Sequence, residues 1–184
     1  MEMRNIFLKK KTKISDLFIF TSKKAKDVRG SFQRLFCKKD LQKYLKKEIV
    51  QSNISINPCV GTFRGLHYQV GKFAEDKLVT CIQGSIFDIS VDARKNSKTL
   101  GKSYTEVLSS KNQKLILIPK GVAHGFQTLE SNTIVLYFHT NFFSPTSQKM
   151  INIKNKILKI KLPKKISLIS ERDKLEGYNE LQKL

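Results

Sequence analysis

Short apolar runs, each closed by turn residues, recur along almost the whole chain, and this rhythm constrains the fold more than any single motif. Residues 17–20 (Leu-Phe-Ile-Phe) are apolar between polar neighbours, and residues 31–36 follow the turn signal Arg29-Gly30. Residues 48–56 and 62–68 alternate as half-buried strands do, with successive side chains on opposite faces. Residues 77–83 and 85–91 flank Gly84 as two strands joined tightly at a glycine, and residues 115–118 and 133–139 add two more. One early segment departs from the pattern. In residues 40–47, Leu41, Tyr44 and Leu45 share a helical face behind Asp40 as N-cap. A second short helix is expected from Asp173 onward. Strands at this spacing predict an all-β sandwich or barrel with a few short helices. At 184 residues and 40% hydrophobic, residues 1–184 read as one domain that builds a core without disulfide or metal staples.

Charge narrows the partners. Thirty-five basic residues against 15 acidic ones give a formal net charge of +20. Only six of the 35 are arginine, the side chain that makes bidentate contacts to bases and phosphates. The lysines are spread along the chain and accumulate in the acid-free stretch between Ser131 and Ser170, which reads as a solvated basic edge or, alternatively, a region facing phosphate. This distribution argues against a nucleic-acid partner and suits a mild positive field for an anionic substrate. No apolar run reaches the roughly 18 to 20 residues of a membrane span. The start, Met1-Glu2-Met3-Arg4, lacks the apolar core of a secretory signal. Cys37, Cys59 and Cys81 are widely spaced with no CxxC, and read as reduced thiols of a cytoplasmic protein.

The three histidines carry most of the chemical information. His67 lies in Phe63-Arg-Gly-Leu-His-Tyr-Gln, where alternation puts Arg64 and Leu66 on one face and Phe63, Gly65 and His67 on the other. His124 follows Pro119 and Gly121, and a Pro-x-Gly-x-x-His segment on a small barrel is a cupin-like feature. His139 shares a strand face with Tyr137 and is expected to be a hydrogen-bonded structural residue. No His-x-His or His-Glu pair exists, so no metal centre is expected. Without a Gly-x-Ser-x-Gly elbow, a GxGxxG or a P-loop, neither a covalent nucleophile nor bound NAD or ATP has support. What remains is proton chemistry. A histidine base, a carboxylate to orient it, a lysine for an oxyanion and a tyrosine to return a proton form an enolisation kit next to a carbonyl.

A longer set of segments now falls into order. After Phe63-Arg-Gly-Leu-His-Tyr-Gln come Lys77-Leu-Val, Gly84-x-x-Phe-Asp-x-x-Val-Asp-x-Arg94 and Leu100-Gly-Lys. Ile118-Pro-x-Gly-x-Ala-His-Gly-Phe, Leu136-Tyr137 and Leu168-Ile-Ser-Glu-Arg-Asp173 complete it. Together they resemble the dTDP-4-dehydrorhamnose 3,5-epimerase family of deoxysugar and surface-polysaccharide biosynthesis. The resemblance implies a cupin-type jelly roll, a homodimer, no metal and no organic cofactor. It implies a nucleoside-diphosphate-sugar substrate with a 4-keto group. By resemblance, His67 is the base, Asp173 its partner, Lys77 the enolate-stabilising cation and Tyr137 the proton donor. Arg64, His124, Arg29, Phe32, Gln51 and Asn53 match positions that contact substrate. Arg34 stands where the family carries a Glu, and Gln51-Ser-Asn-Ile54 replaces its Gln-Asp-Asn-His. Inversion of C3 or C5 alone, a CDP- or GDP-linked 4-ketosugar, and a non-catalytic nucleotide-sugar-binding cupin are all compatible with the same residues.

Overall fold

A computed structural model describes residues 7–174. In chain order its strands are β1 (Phe7–Lys11), β2 (Phe18–Ser22), β3 (Lys24–Asp27), β4 (Gly30–Gln33), β5 (Gln51–Asn57), β6 (Thr62–Gln69) and β7 (Lys77–Gln83). They continue as β8 (Ser85–Asp92), β9 (Ser103–Ser109), β10 (Lys114–Ile118), β11 (Val122–Thr128), β12 (Thr133–His139), β13 (Gln148–Met150) and β14 (Leu168–Ile169). Two single-turn helices, α1 (Lys38–Leu41) and α2 (Glu171–Lys174), punctuate them. One sheet runs β1-β2-β10-β7-β12-β5, the other β13-β6-β11-β8-β9 with β14 alongside β6, and β3-β4 form a separate hairpin. The two large sheets face each other as a jelly roll, so the all-β expectation holds. Among the described residues no helix is long and apolar enough to cross a membrane.

Alternation along the strands divides the core into three layers. Ile19, Val79, Ile116 and Val135 of the first sheet meet Ile86, Leu108 and Phe126 of the second, all buried, between the sheets. Their neighbours in sequence point outward. Phe20, Leu78, Leu115 and Leu117 pack beneath Leu41 and Leu45, while Phe63, Leu66, Ile89 and Val91 are covered by Ile151, Ile153 and Leu158. The lysine-rich segment near the C-terminus is therefore a basic edge outside and a core lid inside: Lys154, Lys156 and Lys159 are exposed while Ile151 and Leu158 are buried.

Three local expectations need correction. The helix expected over residues 40–47 is a single turn, and Asp40 lies inside it; Cys37 occupies the N-cap without a side-chain bond. Leu41 and Leu45 are buried and Tyr44 packs on Phe18 and Phe20, as the apolar spacing required. The Lys46 amide, however, donates to the Asp76 carboxylate at 3.2 Å, so a tertiary bond replaces a helical one. The second correction is the strands that alternation does not reveal. β1 is a lysine-rich exposed edge, and β11 is buried at every position, so neither shows an apolar–polar rhythm.

The third correction lies where β6 meets β11. Their ladder pairs His124 with His67 and Phe126 with Arg64, which skips a residue on β6. Simple alternation fails across that slip. Phe63 and Leu66 both enter the outer core, and Arg64 and His67 both line the interior cavity. The close approach requires glycine on both strands. A methyl on Gly65 would sit 2.6 Å from Gly125 Cα, and one on Gly125 would strike the Arg64 carbonyl oxygen and lie 2.8 Å from Leu66 Cδ2. Gly125→Ala is therefore expected to cost about 1–3 kcal/mol. Thermal unfolding should show a melting temperature lower by roughly 2–4 °C per kcal/mol lost.

Candidate active site

Between the sheets lies a cavity of about 630 Å³, and all three histidines line it together with Arg64, Lys77 and Tyr137. That volume is in the usual range for small-molecule sites. The second sheet supplies Arg64 and His67 from β6 and His124 from β11, while the first supplies Lys77 from β7 and Tyr137 and His139 from β12. Asp173 reaches the same cavity from α2 and is buried.

Each imidazole has its own carboxylate. His67 Nε2 lies 2.7 Å from Asp173 Oδ1, and the other carboxylate oxygen of Asp173 accepts from the Gly65 amide at 3.2 Å. The Ser170 hydroxyl oxygen accepts from the Asp173 amide, tying the first turn of α2 to the site. Burial alone would raise the Asp173 carboxyl. The hydrogen bond and charge of His67, the Gly65 amide and the Ser170 side chain together hold it below the ordinary carboxylate value. On the neighbouring strand of the same sheet, His124 Nε2 lies 2.7 Å from Asp88 Oδ2, with both side chains buried. His139 Nδ1 lies 2.9 Å from Glu75 Oε2, and its Nε2 meets the Asn53 amide nitrogen at 3.3 Å. An amide nitrogen only donates, so His139 accepts at Nε2 and carries its proton on Nδ1 toward Glu75.

Lys77 is held between Glu75 Oε1 at 3.5 Å and the His67 carbonyl oxygen at 3.4 Å. Burial lowers its ammonium and the Glu75 charge opposes that fall. The Tyr137 phenol is driven up chiefly by burial, with the Asp88 charge adding to it, so it keeps its proton. Its ring lies edge-on to His124 at 6.3 Å and nearly parallel to His139 at 6.0 Å. Arg64 donates Nε to Asn57 Oδ1 at 2.8 Å. Among the described residues no group of three or more His, Cys, Asp and Glu is placed to hold a metal ion.

The cavity thus gathers His67, Asp173, Lys77, Tyr137, Arg64, His124 and Asn53 from the positions singled out in the sequence. Gln51 stands one step back: its Oε1 accepts from the amide of Phe143, which itself lines the cavity. Arg29 and Phe32 do not line it. They sit on the β3–β4 hairpin, where Phe32 is 67% exposed and the Arg29 guanidinium pairs with Asp27 at its tip. The sequence reading passed over Glu75, Arg172 and the cavity-facing side of His139. A two-residue step links Glu75 to Lys77 and His139 to Tyr137, and Arg172 adjoins Asp173; that spacing was the available signal.

Because Asp173 is depressed in the folded protein, its pairing contributes stability that is complete above the ordinary carboxyl value of about 4 and is lost as pH falls through the folded one. Melting temperatures measured from pH 6 downward should therefore fall more steeply in the wild type than in Asp173→Asn.

Comparison with known proteins gives the family. Residues 11–180 match the family model of dTDP-4-dehydrorhamnose 3,5-epimerase. The chain is 39% identical over 165 residues to the Shigella flexneri dTDP-4-dehydrorhamnose 3,5-epimerase, covering 89% of this chain and 91% of that one. Its fold superposes on the Elizabethkingia anophelis enzyme of the same description with TM-score 0.88 at 33% identity, over 97% and 99% of the two chains. The Legionella pneumophila dTDP-6-deoxy-D-glucose-3,5-epimerase, solved with dTDP-4-keto-L-rhamnose, gives TM-score 0.86 at 33% identity over 91% and 89%. A jelly roll whose sheets close on a His–Asp pair, a lysine and a tyrosine, with matches of this extent, belongs to the dTDP-4-dehydrorhamnose 3,5-epimerase family, isomerases acting on carbohydrates.

Proposed function

We propose that this chain, acting as one epimerase domain, inverts C3 and C5 of dTDP-4-dehydro-6-deoxyglucose to give dTDP-4-dehydrorhamnose, with His67 as base and Tyr137 as acid. The observation that carries the reading is the division of the cavity: His67 comes from one sheet, with Asp173 of α2 behind it, and Tyr137 and Lys77 come from the other. Inversion needs a proton taken from one face of a carbon and returned to the opposite face, and facing sheets supply that separation.

The steps follow from the groups present. The C4 ketone acidifies the neighbouring C–H bonds. Asp173 holds the proton of His67 on Nε2, which leaves Nδ1 as the basic nitrogen. His67 takes the proton, the electron pair moves into the C4 carbonyl, and the Lys77 ammonium stabilises the resulting oxyanion. Tyr137, kept protonated by burial, delivers its proton to the other face as the carbonyl re-forms. One proton leaves and one arrives at the same carbon, so no redox partner enters the balance. Asp173 stabilises the imidazolium, and the positive surroundings of Arg64 and Arg172 suit a diphosphate. The exposed Cys59 thiol supports a reducing, cytoplasmic setting.

In D₂O with dTDP-4-keto-6-deoxyglucose, the product should carry two deuterons, one at C3 and one at C5. A single deuteron would reduce the assignment to a one-centre epimerase. None, with CDP- and GDP-linked ketosugars equally silent, would favour a non-catalytic nucleotide-sugar binder. His67→Ala should abolish turnover in a protein that still folds, and Asp173→Asn should slow it about 10²–10⁴-fold.

The same reading places Arg29 and Phe32 at the nucleotide, yet they stand exposed outside their own cavity, beside Val28 at the hairpin tip. A homodimer in which the hairpin reaches the partner copy's cavity reconciles the two. Sedimentation should give twice the 21.2 kDa chain mass, and Arg29→Ala should raise KM about tenfold with kcat little changed, the mark of lost uniform binding. A monomer with full activity would remove this part of the reading.

A further inference from the structure

Of the three imidazole–carboxylate pairs at the cavity, His67–Asp173 carries the base and His124 matches a substrate-contacting position, which leaves His139–Glu75 without a task. It is nonetheless a demanding arrangement. Glu75 is 7% exposed, and burying a carboxylate with an imidazole costs free energy that an aliphatic pair would not. The pair also touches both residues on its side of the cavity: Glu75 lies between Lys77 and His139, and the His139 ring stacks on Tyr137 at an interplanar angle of 18°. With Glu75 on Nδ1 and Asn53 on Nε2, the His139 ring is fixed at both ends.

We propose that His139, held by Glu75, is a positioning residue that keeps the Tyr137 ring, and with it Oη, in place. The phenol must deliver its proton to a carbon from the face opposite His67. A ring free to swing about its Cα–Cβ bond would carry Oη away from the carbon and let the enolate wait, and His67 would return the proton to the face it came from. His124 touches the Tyr137 ring only edge-on, so the flat contact that limits this rotation is the one with His139. The inference rests on the epimerase reading and adds to it a residue that governs outcome rather than proton removal.

The test separates removal from inversion. In D₂O, deuterium found in substrate of retained configuration counts protons that His67 took and Tyr137 failed to replace. Inverted product counts completed turnovers. His139→Gln keeps an N–H for Glu75 and removes the ring, whereas His139→Phe keeps the ring and removes the hydrogen bonds. The ratio of retained exchange to inversion should rise about 10–100-fold in His139→Gln and by less in His139→Phe, whose ring remains but is no longer held by Glu75 and Asn53, because misplacing a reacting group costs rates of that order. An unchanged ratio in His139→Gln would overturn the proposal. So would the reverse order, with Phe worse than Gln, which is the pattern of a bond that merely holds the strand. If melting shows the Gln variant unfolded, His139→Leu removes the ring while keeping an apolar volume, and the same ratio decides. Wild-type protein that neither exchanges nor inverts would withdraw the epimerase reading itself. Wild-type protein that inverts, beside a ring-less variant with the same ratio, would withdraw only the role of His139.

Discussion

At the crossing of β6 and β11 two glycines face each other so closely that neither strand has room for a Cβ. The ladder slips there, and the slip turns Arg64 and His67 to the same side although they stand three positions apart. The Gly65 amide, left free of the regular ladder, donates to Asp173, the carboxylate that also orients His67. One backbone irregularity therefore sets the base, its partner and an arginine in one cavity. A regular strand would have sent Arg64 outward with Leu66, into the apolar layer under Ile151 and Leu158.

Charge in the cavity is arranged with the same economy. A chain of net charge +20 spends three of its few acidic residues on its three histidines. Each pairing fixes a tautomer or a ring orientation, which is what a buried imidazole needs to act in one direction only. Glu75 serves twice, since it also offsets the burial of Lys77. Asp76, the next residue, accepts from the Lys46 and Lys120 amides and so pins the loop that carries both Glu75 and Lys77. The lysines that dominate the composition have little part in this: they lie mostly on the surface, on β1 and on the segment over the outer core.

Much of this was legible in the sequence because alternation and turn glycines report burial directly. β7 and β12 begin and end where the apolar pattern and turn residues place them, and β8 runs one residue further. Strands buried on both faces, such as β11, or on neither, such as β1, carry no such rhythm. The helix over residues 40–47 shortened because the Lys46 amide found Asp76, a partner 30 residues away that no local pattern encodes. The site was legible through its histidines. His67 and His124 sit in marked motifs, whereas His139 ends an ordinary strand and its partner Glu75 precedes another, so only the pairing of β7 with β12 joins them. Arg29 and Phe32 matched family positions by order in the chain, and their distance from their own cavity became visible only with the hairpin in place.

The account stands on the claim that His67 and Tyr137 address opposite faces of one sugar ring. The most direct measurement is a crystal structure of the protein with dTDP-4-keto-L-rhamnose bound. The account predicts the hexose between the two sheets, with His67 Nδ1 on one face, Tyr137 Oη on the other and the C4 oxygen beside Lys77 Nζ. A sugar with both side chains on the same face, or one seated outside this cavity, would contradict it.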